Sequence, residues 1–151
     1  MIDIFIIFFL WTLLIYWIHR LAHVLPLIKQ IHYGHHNYIK QNIAPKWHWS
    51  NIFLFQDNWI STVDVWLTEV LPTILFCAIT EQWWIAVLFY VWSAFIQERI
   101  EHDPEFDFLF FTSGRWHLIH HKKGMCNYGL FHSIWDRVFG TYKKIAINQV
   151  Q

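Results

Sequence analysis

The chain has 151 residues, of which 56% are hydrophobic and 15% charged, against about 45–50% and 25% in ordinary soluble domains. Its 11 basic residues balance its 11 acidic ones, which excludes the strong positive charge of a typical nucleic-acid-binding protein. Its 2 cysteines make neither a disulfide framework nor a zinc-finger spacing. Histidine is the unusual residue type, because its 11 copies equal lysine and arginine combined.

Three apolar stretches, at residues 4–18, 60–79 and 83–96, predict membrane spans near residues 2–20, 60–79 and 83–98. The second alone has the roughly 20 residues of a perpendicular crossing, so the other two must tilt, borrow neighbouring residues or enter only partly. No basic residue precedes the first stretch and no small-residue cleavage site follows it, which favours a retained helix over a cleaved leader. We expect this helix to continue through the segment HRLAHVLPLI with a kink at Pro26.

The placement of basic residues predicts the orientation. Every lysine and arginine lies within residues 19–58 or 99–151, and cytoplasmic segments of membrane proteins are enriched in these residues. We therefore expect segments 21–58 and 99–151 to be cytoplasmic, in a bacterial inner membrane or the endoplasmic reticulum. All histidines fall in the same two regions. The predicted fold is an all-α, multi-pass integral membrane domain over residues 1–151, a bundle of about three to four transmembrane or hairpin helices with a cytoplasmic helical cap carrying the histidines.

Three short motifs place histidines at helical spacings. The motif HRLAH has two histidines four residues apart, and HYGHH and HLIHH each have them at i, i+3 and i+4. Residues at these spacings share one face of a helix, and imidazole binds Fe, Zn, Cu and Ni. These motifs, with the isolated His102, supply nine candidate metal ligands. The candidates are His19, His23, His32, His35, His36, His102, His117, His120 and His121.

The number of candidate ligands favours two metal ions. A catalytic zinc site commonly takes three protein ligands, whereas eight or nine imidazoles give two ions four or five each. The site is predicted to be rich in nitrogen, because the chain lacks the paired glutamates of soluble di-iron bundles. His48 and His132 lie outside the motifs and receive no role. Of the acids in the second span, Asp64 is explained by solvation at the cytoplasmic end, and Glu69 receives no role.

The surroundings of these motifs carry a family resemblance. The segments YWIHRLAHVLPLIKQIHYGHHN, TSGRWHLIHH and NYGLFHSIWDRVFGTY are similar to the histidine boxes and closing motif of the fatty acid hydroxylase/sterol desaturase superfamily of membrane di-iron enzymes. The resemblance implies that two iron ions and O2, with two external electrons, hydroxylate or desaturate a lipid. It implies metal ligation by the nine histidines, with supporting rather than ligating roles for Asn127 and Asp136. Zinc is expected as a substitute ion in purified protein.

The expected partners follow from the same resemblance. The substrate is an apolar lipid such as a sterol or a fatty acyl chain, and membrane lipids surround the helices. Electrons come from a cytochrome- or ferredoxin-type protein, because the chain shows no Rossmann, flavin or haem-attachment motif. Larger relatives have additional helices before the first histidine motif, so a homo-oligomer is one way to complete the substrate pocket.

Two other functions stay open at this point. A membrane zinc hydrolase needs a general base such as the glutamate of H-E-x-x-H, and no motif here has one in that place. A metal-binding or metal-transport protein is favoured by histidines within the spans, whereas these histidines lie outside the apolar stretches. The motifs do not distinguish hydroxylation from desaturation, nor do they identify the lipid.

Overall fold

A computed structural model describes residues 3–42, 46–108, 110 and 113–144. Within these residues the protein is all-helical and contains no strand. The described residues form six helices, which are α1 (Ile4–Ala22), α2 (Pro26–Gln41), α3 (Trp59–Thr80), α4 (84–100), α5 (Arg115–Lys123) and α6 (Ile134–Val138). Helix α3 is continuous but includes a π-helical segment, Trp66–Val70, and α4 includes another, Trp92–Gln97. A short 3-10 helix, Trp49–Phe53, precedes α3.

The first two helices are separate rather than parts of one kinked helix. The Asp3 carboxylate accepts a hydrogen bond from the Phe5 amide and caps the start of α1. Helix α1 ends before His23, and α2 begins with Pro26 in its first turn. The expectation of a continuous helix through Pro26 is therefore wrong. Proline has no amide hydrogen to donate and suits the first turn of a new helix, so a second helix starts here.

Two of the described helices are long and apolar enough to cross a membrane. These are α1 and α3, which correspond to the first and second predicted spans. Helix α4 covers the third predicted span and does not reach the same length. Large apolar side chains remain exposed on both candidate helices, including Phe5 on α1 (72% exposed) and Ile79 on α3 (82% exposed). Such side chains are suited to contact with lipid.

An aromatic core ties the C-terminal segment to the long helices. Trp11 of α1 is fully buried, and its indole nitrogen donates a hydrogen bond to Thr73 of α3 at 3.0 Å. The Phe131 ring lies 4.6 Å from the Trp11 ring, centroid to centroid. Ile85 and Phe89 of α4 complete this cluster. The C-terminal segment therefore folds back over α1, which places its histidines beside those of α1 and α2.

Candidate metal centre

The nine candidate histidines converge in two neighbouring groups. Within each group, one ring nitrogen of every member lies within 4.8 Å of the others. Eight of the nine histidines are buried and His35 is half-buried. The five-histidine group consists of His19, His23, His32, His36 and His120. The four-histidine group consists of His35, His102, His117 and His121.

His120 is central to the five-histidine group. Its Nε2 atom lies 3.0 Å from Nε2 of His19, 3.2 Å from Nε2 of His23 and 3.1 Å from Nε2 of His36. The Nε2 atom of His32 lies 3.0 Å from that of His23 and 3.1 Å from that of His36. Two nitrogen ligands at right angles, each about 2.1 Å from an ion, lie about 3.0 Å apart. The spacing of this group therefore fits one bound metal ion.

The four-histidine group has similar spacing. The Nε2 atom of His121 lies 2.9 Å from Nε2 of His117 and 3.1 Å from Nε2 of His102. The His35 ring lies 5.0 Å from the His121 ring, centroid to centroid. A carboxylate oxygen of Glu101 approaches Nε2 of His117 to 3.5 Å. The donors of this group fit a second ion with room for further ligands.

Consecutive histidines serve different groups. His35 and His36 belong to different groups, as do His120 and His121. Adjacent residues of a helix point about 100° apart, so α2 and α5 each contribute to both groups. The His36 and His121 rings lie 4.2 Å apart, centroid to centroid, which makes the groups direct neighbours. Each three-histidine motif therefore contributes rings to both groups instead of to one.

Backbone carbonyls orient one ring from each of two distant helices. Nδ1 of His19 lies 2.7 Å from the Tyr128 carbonyl, and Nδ1 of His120 lies 2.8 Å from the Cys126 carbonyl. A carbonyl only accepts hydrogen bonds, so each Nδ1 carries the proton and donates it. The Nε2 lone pair of each ring is then directed into the five-histidine group.

Side chains of α3 orient two rings of α2. Nδ1 of His32 lies 2.9 and 3.0 Å from the two carboxylate oxygens of Asp64, and Nδ1 of His35 lies 2.9 Å from Oγ of Ser61. Asp64 is buried with 3% of its surface exposed, so the expectation that solvation explains it is wrong. Sequence reasoning also missed Ser61. A buried carboxylate behind a metal-ligating histidine raises the basicity of the ligand.

Comparison with known proteins agrees with this geometry. A family model for fatty acid hydroxylases matches residues 4–141, nearly the whole chain. The chain belongs to the fatty acid hydroxylase family. No solved structure matches it.

Curated relatives of this fatty acid hydroxylase family member include sterol-modifying proteins. A Delta(7)-sterol 5(6)-desaturase of Aspergillus fumigatus is 27% identical over 132 residues, which are 86% of this chain and 36% of the relative. A lathosterol oxidase of Rattus norvegicus is 29% identical over 136 residues, 89% of this chain and 43% of the relative. A Delta(7)-sterol 5(6)-desaturase of Leptosphaeria maculans is 30% identical over 135 residues, 87% of this chain and 34% of the relative. The chain therefore spans less than half the length of these relatives.

Burial keeps the imidazoles neutral in this family member. Burial, followed by the neighbouring His32, lowers the pKa of His23 to about 3. Burial lowers the pKa of His35 to about 4, and Asp64 opposes this effect in part. Burial and neighbouring histidines also lower the pKa of His120 and His121 well below the usual value. Metal ligation requires neutral imidazole, so these rings are ready to bind an ion at neutral pH.

The family's closing motif supports the carbonyls that orient the rings. Asp136 is fully buried and accepts hydrogen bonds from the amides of Tyr128 and Gly129 and from the hydroxyl of Thr141, at 2.7 to 2.8 Å. Asn127 has a left-handed backbone (φ 53°), and its side chain donates to the Trp116 carbonyl at 3.2 Å. Neither residue belongs to a histidine group. These contacts hold the loop whose carbonyls accept from His19 and His120.

The other two described histidines lie outside both groups. His48 is exposed and caps the 3-10 helix by accepting a hydrogen bond from the Ser50 amide. His132 is buried, and its Nε2 lies 3.1 Å from the hydroxyl of Thr12. Both side chains therefore have contacts that do not involve the metal centre.

We expect the Asp64→Asn variant to bind metal about 10–100-fold more weakly, because the His32 ring loses its anionic partner. The neutral amide keeps the shape of the side chain but has no negative charge to stabilise the metal-bound ring. Competition with a chromophoric chelator measures the affinity. Asp57→Asn is the matched control, because Asp57 is exposed and its carboxylate accepts from the hydroxyl of Tyr38. Equal affinities of the wild type and the Asp64→Asn variant would contradict the prediction.

We expect the Asp136→Asn variant to lower the free energy of unfolding by about 1–3 kcal/mol. An amide has one acceptor oxygen in place of two, so a buried backbone amide of Tyr128 or Gly129 loses its partner. Chemical denaturation measures the change against Glu105→Gln, an exposed acid. A denaturation midpoint equal to that of Glu105→Gln would show that Asp136 does not stabilise the loop that carries the Cys126 and Tyr128 carbonyls.

Proposed function

We propose that the nine histidines bind two iron ions and that the protein uses O2 and two external electrons to hydroxylate or desaturate a lipid. The observation that supports this most strongly is the convergence of nine ring nitrogens into two groups, within each of which the nitrogens lie within 4.8 Å of one another. The family and its sterol-modifying relatives support an oxidoreductase acting on a lipid. Bound iron supplies the redox chemistry that activates O2.

The protein's own residues would hold and shield this chemistry. Five rings would hold one ion and four rings would hold the other, so the second ion would have fewer protein ligands. The anchors on Nδ1, from the Tyr128 and Cys126 carbonyls and from Asp64 and Ser61, fix the rings before any ion arrives. Burial of His120 (0% exposed) and its neighbours keeps bulk water away from the ions. Such preorganisation lowers the cost of forming the reactive geometry.

An apolar cavity supports a lipid substrate. The cavity has a volume of about 470 Å³ and is lined almost wholly by aromatic and aliphatic side chains, including Phe8, Trp11, Trp92 and Phe131. Leu130, the residue before Phe131, lines a second cavity whose wall includes five of the nine histidines. We propose that a hydrocarbon chain or ring system of the substrate occupies the apolar cavity.

The membrane arrangement remains part of this proposal. Helices α1 and α3 are long and apolar enough to cross a membrane, which supports a multi-pass protein. The lysines and arginines in the same segments as the histidines support a cytoplasmic position for the histidine centre. We propose that residues 1–151 form one domain and that a cytochrome- or ferredoxin-type protein delivers electrons from the cytoplasmic side. A homo-oligomer would supply further walls for the substrate.

Lipid profiling of expressing cells tests the proposed function. Cells that produce the wild type under aerobic, iron-replete conditions in ¹⁸O2 should accumulate an oxidised or more unsaturated lipid that is absent from cells producing His120→Ala. Incorporated ¹⁸O indicates hydroxylation, whereas a new double bond without ¹⁸O indicates desaturation. Identical profiles for the two proteins, at equal expression and metal content of the medium, would overturn the proposal.

A further inference from the structure

A small polar cavity lies against both histidine groups. Its wall includes His19 of the five-histidine group and His117 of the four-histidine group. The volume in which the centre of a water molecule can lie is about 20 Å³, and by the same measure one water needs about 10–15 Å³. This space is too small for a lipid carbon skeleton. Four acids also line it, namely Asp64, Glu69, Glu98 and Glu101.

Three buried polar atoms on the cavity wall have no hydrogen-bond partner within the described residues. They are both amide atoms of Gln56 and the amide oxygen of Gln97. Gln56 is 8% exposed and Gln97 is 2% exposed. Leaving such atoms unpaired costs about 1–3 kcal/mol each, and a buried water is the usual partner in a polar space of this size. The cavity therefore has both the room and the hydrogen-bonding groups for water.

The two π-helical segments contribute a glutamate and a glutamine to the wall of this cavity, where the two side chains contact each other. Glu69 lies in the π-helical segment of α3, and Gln97 ends the one in α4. The Gln97 amide nitrogen donates to both carboxylate oxygens of Glu69 at 3.2 Å. Glu69 is 4% exposed, and it lies within a helix apolar enough to span a membrane. An acid is costly there and π-helical turns often mark functional sites, so a role beyond packing is indicated.

One residue of the cavity wall is partly exposed to solvent. Glu98 lines the cavity and is only half-buried, whereas Glu69 and Gln97 are buried. Acids therefore extend from a partly exposed position to the buried wall beside His19 and His117. This order suits the transfer of protons from outside to the centre.

We propose that this cavity carries protons and water to and from the histidine centre, with Glu69 as the proton-carrying residue and Gln97 as its positioning residue. The inference rests on the proposed function, because oxidation of a C–H bond by O2 and two electrons consumes two protons. Hydroxylation converts RH, O2, two electrons and two protons into ROH and one water, and desaturation releases two waters. Each proton passes from the Glu69 carboxyl group through the cavity water to the histidine centre. A proton that enters from solvent past Glu98 then reprotonates the Glu69 carboxylate.

Infrared spectroscopy of the zinc-loaded protein tests water access to Glu69 without turnover. We expect the wild type to show a protonated-carboxyl band that is absent from Glu69→Gln, and the band should shift within minutes of transfer to D2O. Gln56→Leu removes both unpaired amide atoms that would hold the cavity water and should slow this exchange at least tenfold. Glu81→Gln is the matched control, because Glu81 is exposed at the far end of α3 and should leave the band unchanged. A band that survives in Glu69→Gln, or one whose exchange is unaffected by Gln56→Leu, would overturn the proposal.

Turnover of the iron-loaded enzyme provides the second measurement. Glu69→Gln should bind two metal ions and melt like the wild type, yet form product about 100-fold more slowly, as expected for loss of a proton-transfer group. Glu69→Asp should form product at least tenfold faster than Glu69→Gln, because aspartate also carries a proton. If Glu69 had only a structural role, Glu69→Gln, which keeps the shape of the side chain, would be the less damaging substitution. Wild-type turnover in Glu69→Gln would overturn the relay while leaving the lipid oxidation intact. Absence of lipid oxidation in the wild type would instead count against the proposed function, and the exchange experiment would still test the cavity.

Discussion

The His120→Ala variant is expected to bind one metal ion where the wild type binds two, and to lose at least about 1000-fold in lipid oxidation. His120 is the one member of its group whose Nε2 lies within 3.2 Å of three other Nε2 atoms, those of His19, His23 and His36. Removal of the His120 ring leaves the other four rings of the group without their common neighbour, so they would no longer surround one ion. In the proposed function both ions would be needed to activate O2, so the loss of either would remove the activity. Metal analysis by mass spectrometry and product quantification measure the two effects.

His48→Ala is the matched control for His120→Ala. It also removes one imidazole, but from an exposed cap of the 3-10 helix outside both groups. We expect it to retain two ions and wild-type activity. A His120→Ala protein that keeps two ions and full activity would show that the five-histidine group does not hold a catalytic metal.

The metal-free protein is expected to lose stability steeply as pH falls from about 6.5 to about 4. Burial holds the pKa of His23 near 3 and that of His35 near 4 in the folded protein, against a usual value of 6.5. Below pH 6.5 the unfolded chain takes up protons on these rings and the folded chain does not. Stability is therefore complete above pH 6.5, and each of the two rings removes about 1.4 kcal/mol per pH unit below it.

Urea denaturation of the metal-free protein at a series of pH values measures this slope. The double variant His23→Gln, His35→Gln should show a shallower loss of stability, because two of the neutral rings are absent. Metal loading should shift the loss to lower pH, since bound ions compete with protons for the ring nitrogens. Stability that is flat between pH 6.5 and 4.5 would show that the histidines take up protons without unfolding the protein.

The sequence indicates which histidines share a helix face, but it does not contain the arrangement of the histidines in space. The spacing of His32, His35 and His36 is a local property of one helix, so periodicity alone grouped them on one face. Their division between two groups depends on how α2 packs against α5, and no local pattern contains that information. For the same reason the sequence did not reveal that His120 is central to one group.

Other features were hidden from sequence reasoning for related reasons. Asp64 and Ser61 orient rings that are roughly 26 to 32 residues away in the chain, and an acid or a serine near a helix start has many ordinary explanations. The sequence around Pro26 predicts a kink as readily as the start of a new helix, because proline is compatible with both. The π-helical turns at Glu69 and Gln97 leave no compositional signature, although they bring those side chains together.

The most direct test of the two-metal centre is to count iron in the purified, detergent-solubilised chain after anaerobic loading with Fe²⁺. Zinc must be excluded during loading, because nitrogen-rich sites bind Zn²⁺ more tightly than Fe²⁺. We predict two iron ions per chain, falling to one in His120→Ala. One ion or none in the fully loaded wild type would contradict the binding of two ions by the nine histidines.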